Sequence, residues 1–73
     1  MRKVVKSLIN KGKIGYNIKL YLSNGDVLNF EDVDCDKASV RRLLARLQGA
    51  EVDEEQVWYF IQDHLVREYS VRR

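Results

Sequence analysis

His64 and Cys35 are the only histidine and the only cysteine among the 73 residues, and they are the side chains best suited to nucleophilic or acid–base chemistry. A working Cys–His pair needs a setting that stabilises the thiolate and donors for an oxyanion. Neither is written around these two residues, and they fall on different expected elements. Cys35 therefore reads as a small buried residue, and His64 as a partly buried side chain at the edge of an apolar stripe. A lone imidazole can still serve as a pH-sensitive contact, because its charge changes near neutrality.

Carboxylates offer a second chemistry. Glu31, Asp32, Asp34 and Asp36 crowd one short stretch and could hold a divalent cation loosely through oxygen ligands. They lack the ordered spacing and turn glycine of an EF-hand loop, so a solvated connection with capping duties is the better account. Gly12-Lys13-Ile14-Gly15 has the glycines and lysine of a phosphate cradle but not the order of a P-loop, and reads as a turn. No catalytic, cofactor or metal site is expected, and no small-molecule substrate is evident.

Charge alternates in blocks along the chain. Six bases and no acids precede Gly25, five acids run from Asp26 to Asp36, four bases lie between Lys37 and Gln48, and five acids follow up to Asp63. The net charge is only +2. Blocks of this kind favour pairing between elements or between copies of a chain. Nucleic acid is the alternative partner: Lys19 and Tyr21 would project from an open sheet face, and Arg41, Arg42 and Arg46 from a helix. No RNP, helix-turn-helix or zinc-finger pattern accompanies them.

The elements that must position these groups are written most clearly at the C-terminal end. Asp53 and Gln56 have the spacing of a capping box, Val52 and Val57 that of a hydrophobic staple, and Glu54 and Glu55 complement the positive end of a helix dipole. They predict a helix from Val52 to Tyr69, with Arg67, Arg72 and Arg73 toward its other end. Advancing about 100° per residue groups Val57, Ile61, His64 and Leu65 on one stripe, flanked by Phe60 on one side and by Trp58 and Tyr69 on the other. Tyr59 and Val66 fall opposite that stripe. They are the candidate protein-contact residues.

Ile14, Tyr16, Ile18, Leu20 and Leu22 alternate with smaller or more polar neighbours, the period of a half-buried strand. Asn24-Gly25 then marks a hairpin. A two-residue loop would set Leu20 opposite Asn29 and Ile18 opposite Glu31, drawing polar groups into the core. A three-residue loop, Ser23-Asn24-Gly25 with Gly25 in the left-handed bulge position, pairs Leu20 with Leu28 and Ile18 with Phe30. That register is expected. Val4, Val5, Leu8 and Ile9 suit either a first strand, giving a three-stranded meander, or a short N-terminal helix on a two-stranded hairpin. Asp36 can cap an amphipathic helix carrying Val40, Leu43, Leu44 and Leu47, with Cys35 stapled to Val40 and Gly49 as its stop.

The expected fold is a single small α+β domain spanning 1–73. An antiparallel meander precedes two antiparallel helices packed on one sheet face. A chain this short buries only about 60% of its unfolded surface. One cysteine allows no internal disulfide, so support from a second copy, as a homodimer, is a reasonable expectation.

The run Tyr16-Asn17-Ile18 leading to Phe30-Glu31-Asp32-Val33, then Asp36-Lys37 and a leucine-rich helix, then Val57 to Leu65 with Asp63 near its end, resembles a small family of uncharacterised bacterial proteins known mainly from Firmicutes. The resemblance spans roughly Lys3 to Leu65. That family's pattern has Gly where Asn17 stands and an aromatic where His64 stands. It implies no known activity and transfers no functional residue. The basic start Met1-Arg2-Lys3 is followed by an apolar run interrupted at Lys6 and Ser7, so no exported core or membrane span is expected. With its single unpaired thiol the chain is expected in the cytoplasm, as a non-enzymatic protein-interaction or regulatory module.

Overall fold

The computed structural model describes residues 2–70. Strand β1 (Val4–Lys11), β2 (Tyr16–Leu22) and β3 (Val27–Asp34) form one antiparallel sheet in the order β1-β2-β3, and helices α1 (Lys37–Leu47) and α2 (Glu54–Ser70) follow. The first segment is thus a strand, and the meander is three-stranded.

The β2–β3 hairpin has the expected three-residue loop. Ile18 faces Phe30 and Leu20 faces Leu28. Leu22 N–H donates to Asp26 O at 2.9 Å, Gly25 N–H donates to Leu22 O at 3.0 Å, and Gly25 takes a φ of 92° that side-chain-bearing residues avoid. This register places Ile18, Leu20, Leu22, Leu28 and Phe30 on one buried face. A slip of one residue in β3 would have turned Leu28 and Phe30 outward and drawn Asn29 and Glu31 into the core.

Strand β2 starts later than the alternation suggested. Ile14 is 81% exposed at the tip of the β1–β2 turn, and the strand begins at Tyr16. Gly12 N–H donates to Gly15 O at 2.7 Å, closing that turn before Ile14 can join the ladder.

The two helices cover the buried sheet face. Val40, Leu43, Leu44 and Leu47 of α1 and Val57 and Ile61 of α2 meet Val4, Ile18, Leu20 and Val33 in one core. Asp36 caps α1 by accepting from Ala38 N–H at 3.0 Å. The capping box of α2 closes in both directions: Gln56 N–H donates to Asp53 Oδ1 at 2.9 Å, and Asp53 N–H donates to Gln56 Oε1 at 3.2 Å. Val52 and Val57 are both buried beside it. The helices run antiparallel, since Arg42 reaches Glu68 while Arg46, one turn further along α1, reaches back to Asp63.

The connection between the helices also serves the sheet. Val4 N–H donates to Ala50 O at 3.0 Å, Gly49 N–H to Val4 O at 2.9 Å and Val52 N–H to Arg2 O at 2.8 Å. The start of β1 is thereby paired on both sides. Among the described residues, no segment pairs with the outer edge of β3.

Candidate functional site

Helix α2 buries Val57, Ile61 and His64, with Phe60 and Leu65 half-buried at the margins of that stripe. Its other side stays in solvent. Tyr59 is 61% and Val66 63% exposed, as their placement opposite the buried stripe predicts. Trp58 and Tyr69, expected to be covered on the flank, are 50% and 45% exposed instead. Helical geometry fixes the direction of a side chain, whereas the extent of the sheet decides whether anything lies there to cover it. Trp58 reaches the sheet at its margin, stacking one ring face on Phe30 at a centroid distance of 6.2 Å and an interplanar angle of 14°. Its other side remains open.

Tyr59, Gln62, Val66 and Tyr69 follow one another at steps of three, four and three residues. That spacing makes a single seam on a helix. The Tyr59 hydroxyl donates to Glu55 Oε1 at 3.4 Å, one turn earlier.

Beneath the helices lies a small polar cluster. His64 is buried, its Nε2 is 2.9 Å from Ser39 O and 3.0 Å from Ser39 Oγ, and its Nδ1 is 3.4 Å from Arg46 Nη1. A guanidinium carries only donors, so Nδ1 must be the acceptor and Nε2 carries the proton that goes to Ser39. In this tautomer His64 cannot take a proton from Ser39 Oγ. The arrangement holds the two helices together and does not make a nucleophile. Cys35, expected as a buried packing residue, is exposed at the end of β3, and lies on a different element from His64.

The acidic stretch is divided among separate structural tasks. Asp34 accepts from the Tyr69 hydroxyl and from Asp36 N–H. Burial pushes its pKa up, but hydrogen bonds from Tyr69, Ser39 and the backbone of Asp36 and Cys35 outweigh that effect and hold the carboxyl below its ordinary pKa.

Asp32 clamps the neighbouring turn. Its Oδ1 accepts from Ile14 N–H at 3.3 Å and Gly15 N–H at 3.1 Å, and its own N–H donates to Asn17 Oδ1 at 2.8 Å. Here β3 bulges, since one residue of β2, Asn17, spans three of β3, and Asp32 takes a φ of 49°. Within Gly12-Lys13-Ile14-Gly15, a turn, the amides of Ile14 and Gly15 go to this carboxylate and that of Gly12 to Gly15 O. Among the described residues, no group of three or more His, Cys, Asp or Glu is arranged to hold a metal ion.

The five candidate nucleic-acid residues separate onto two layers. Lys19 and Tyr21 belong to the uncovered sheet face, beside Lys6 and Leu8, and Lys6 Nζ sits 5.6 Å from the Tyr21 ring centre. Arg41 is exposed on α1. Arg42 is engaged by Glu68, and Arg46 by Asp63, His64 and the Phe60 ring. These contacts direct Arg42 and Arg46 toward α2, away from the open sheet face. A sequence-based view groups the four bases by charge and adds Tyr21 as a stacking ring, but only the strand pair shares a surface.

No protein-family model, curated protein or solved structure matches the chain, so its functional account rests on its own residues. No helix among the described residues is long and apolar enough to cross a membrane.

Proposed function

We propose that this chain is a non-enzymatic interaction module that self-associates through the outward face of α2. The observation that carries the reading is the seam of Tyr59, Gln62 and Val66, exposed along a capped helix, with Trp58 at its margin and Tyr69, tied by its hydroxyl to Asp34, at its end. Aromatic side chains of this kind supply large contact area and dominate the energetics of interfaces.

A two-fold antiparallel pairing of α2 with a second copy suits both shape and charge. It sets Tyr59 against Val66 of the second copy and Gln62 near its own equivalent. It also brings Glu54 and Glu55, in the first turn, toward the end of the other helix that carries Arg67. Each patch then meets its own complement. The test is a Tyr59→Ser, Val66→Glu double variant, which should keep the circular dichroism of the parent while its association is lost. Unchanged association would remove this surface from the account.

A second reading, weak nucleic-acid binding, is supported by Lys6, Lys19 and Tyr21 on the uncovered sheet face. Contact with phosphate through that face predicts a gel shift that weakens steeply with salt and falls in Lys19→Ala. Absence of a shift at low salt would set this reading aside.

A further inference from the structure

The outer edge of β3 ends in an unpaired row of backbone groups beside a groove. Leu22 N–H bonds to Asp26 O, so counting in twos along an antiparallel ladder turns the N–H and C=O of Leu28 and Phe30 toward β2. Those of Val27, Asn29 and Glu31 therefore point outward. The groove occupies about 680 Å³ and is lined by Asn29, Phe30 and Glu31 on the strand and by Glu54, Glu55 and Trp58 on α2. Successive strand side chains point to opposite faces, so a groove touching all three strand residues runs along the edge itself.

We propose that this groove takes an extended, basic peptide, which adds to the sheet as a fourth strand along β3. Backbone pairing with Asn29 and Glu31 supplies register, as in other complexes built by strand addition. Alternate side chains of the peptide descend toward Trp58, Glu54 and Glu55, and the others lie beside Glu31. Three carboxylates and the exposed face of an indole select Lys and Arg, by charge and by cation–π attraction. Phe30, stacked behind Trp58, holds the ring in place.

Charge excludes the simplest alternative occupant. Pairing β3 with β3 of a second copy about a two-fold axis would bring Glu31, Glu54 and Glu55 toward the same residues of the other chain, which is repulsive. The same acids protect the edge from self-pairing while leaving it open to a basic strand. This site does not need the self-association anchors Tyr59 and Val66, although Glu54 and Glu55 border both surfaces.

Trp58 is the sole tryptophan and lines this groove, so its fluorescence reports on occupancy, and titrating the Tyr59→Ser, Val66→Glu variant as well removes any contribution from self-association. Acetyl-(Thr-Lys)3-amide should give a saturable change with half-saturation below about 1 mM, and acetyl-(Thr-Glu)3-amide should give none. Methylating alternate backbone nitrogens of the basic peptide should weaken binding at least tenfold, because it removes the strand hydrogen bonds and keeps the charge. Glu31→Lys and, separately, Glu55→Gln should weaken it while circular dichroism stays that of the parent. The Tyr59→Ser, Val66→Glu variant should bind the peptide at least as tightly as the parent does, which separates this site from the self-association surface. No saturable change, equal binding of the acidic peptide, or undiminished binding of the methylated peptide would each overturn the proposal.

Discussion

Asp32 performs two tasks that substitution can separate. It occupies a left-handed backbone conformation at φ 49°, and its carboxylate receives the N–H groups of Ile14 and Gly15. The left-handed conformation costs an ordinary L-residue about 1–2 kcal/mol, and Asp, Asn and Gly tolerate it best. Each of the two hydrogen bonds is solvent-exposed and contributes about 0.5 kcal/mol, the low end for such bonds. Asp32→Asn keeps the acceptor and the backbone tolerance, and should lose under about 0.5 kcal/mol. Asp32→Gly loses the bonds alone, about 1 kcal/mol, whereas Asp32→Ala loses the bonds and adds strain, about 2 kcal/mol. In urea, with a denaturant slope of about 1 kcal/mol per molar for a small domain, the Ala midpoint should fall by about 2 M and the Gly midpoint by about 1 M. A Gly variant as stable as the parent would show that the hydrogen bonds contribute nothing. A Gly variant worse than Ala would show that the backbone is not strained.

Three further outcomes follow from the packing. Asp34 is held below its ordinary pKa of 3.8 in the folded state, so its stabilising contribution is present above that pH and is lost as pH falls through the lower folded value; stability against pH below about 3.8 should fall less steeply in Asp34→Asn, and parallel curves would remove Asp34 from the acid response. A Cβ at Gly15 would stand 2.9 Å from Asp34 O and 3.1 Å from its carbonyl carbon, so Gly15→Ala must shift backbone and should cost about 1–3 kcal/mol in chemical denaturation; a neutral result would mean that this corner is not tightly packed. His64→Leu keeps volume but removes the buried bonds to Ser39, at about 1–3 kcal/mol, and calorimetry should find a melting temperature lower by about 4–8 °C per kcal/mol; an unchanged melting temperature would show that these bonds do not hold the helices together.

Much of the architecture was legible because local chemistry and hydrophobic period agreed. Polarity alone selected the β2–β3 register, since the competing loop would have drawn Asn29 and Glu31 into the core. The capping box at Asp53 and Gln56 named the start of α2 to within a residue. What stayed hidden was set by distant partners. Nothing near His64 indicates that Ser39, 25 residues away, receives its proton, and nothing near Arg42 indicates that Glu68 holds it. The bulge at Asp32 breaks the period-two pattern where β3 turns toward the β1–β2 loop, which depends on a turn 17 residues earlier. The exposure of Trp58 has a similar cause. Its angle on the helix was right, but the sheet ends at β3 and leaves half of the ring uncovered.

The contact surface on α2 is the central claim, and solution mass tests it most directly. Light scattering across a concentration series should show the parent rising from the 8.6 kDa of one chain to twice that value, with the Tyr59→Ser, Val66→Glu variant remaining at one chain throughout. A parent that stays at the mass of one chain up to about 1 mM, or a double variant that associates as the parent does, would contradict it.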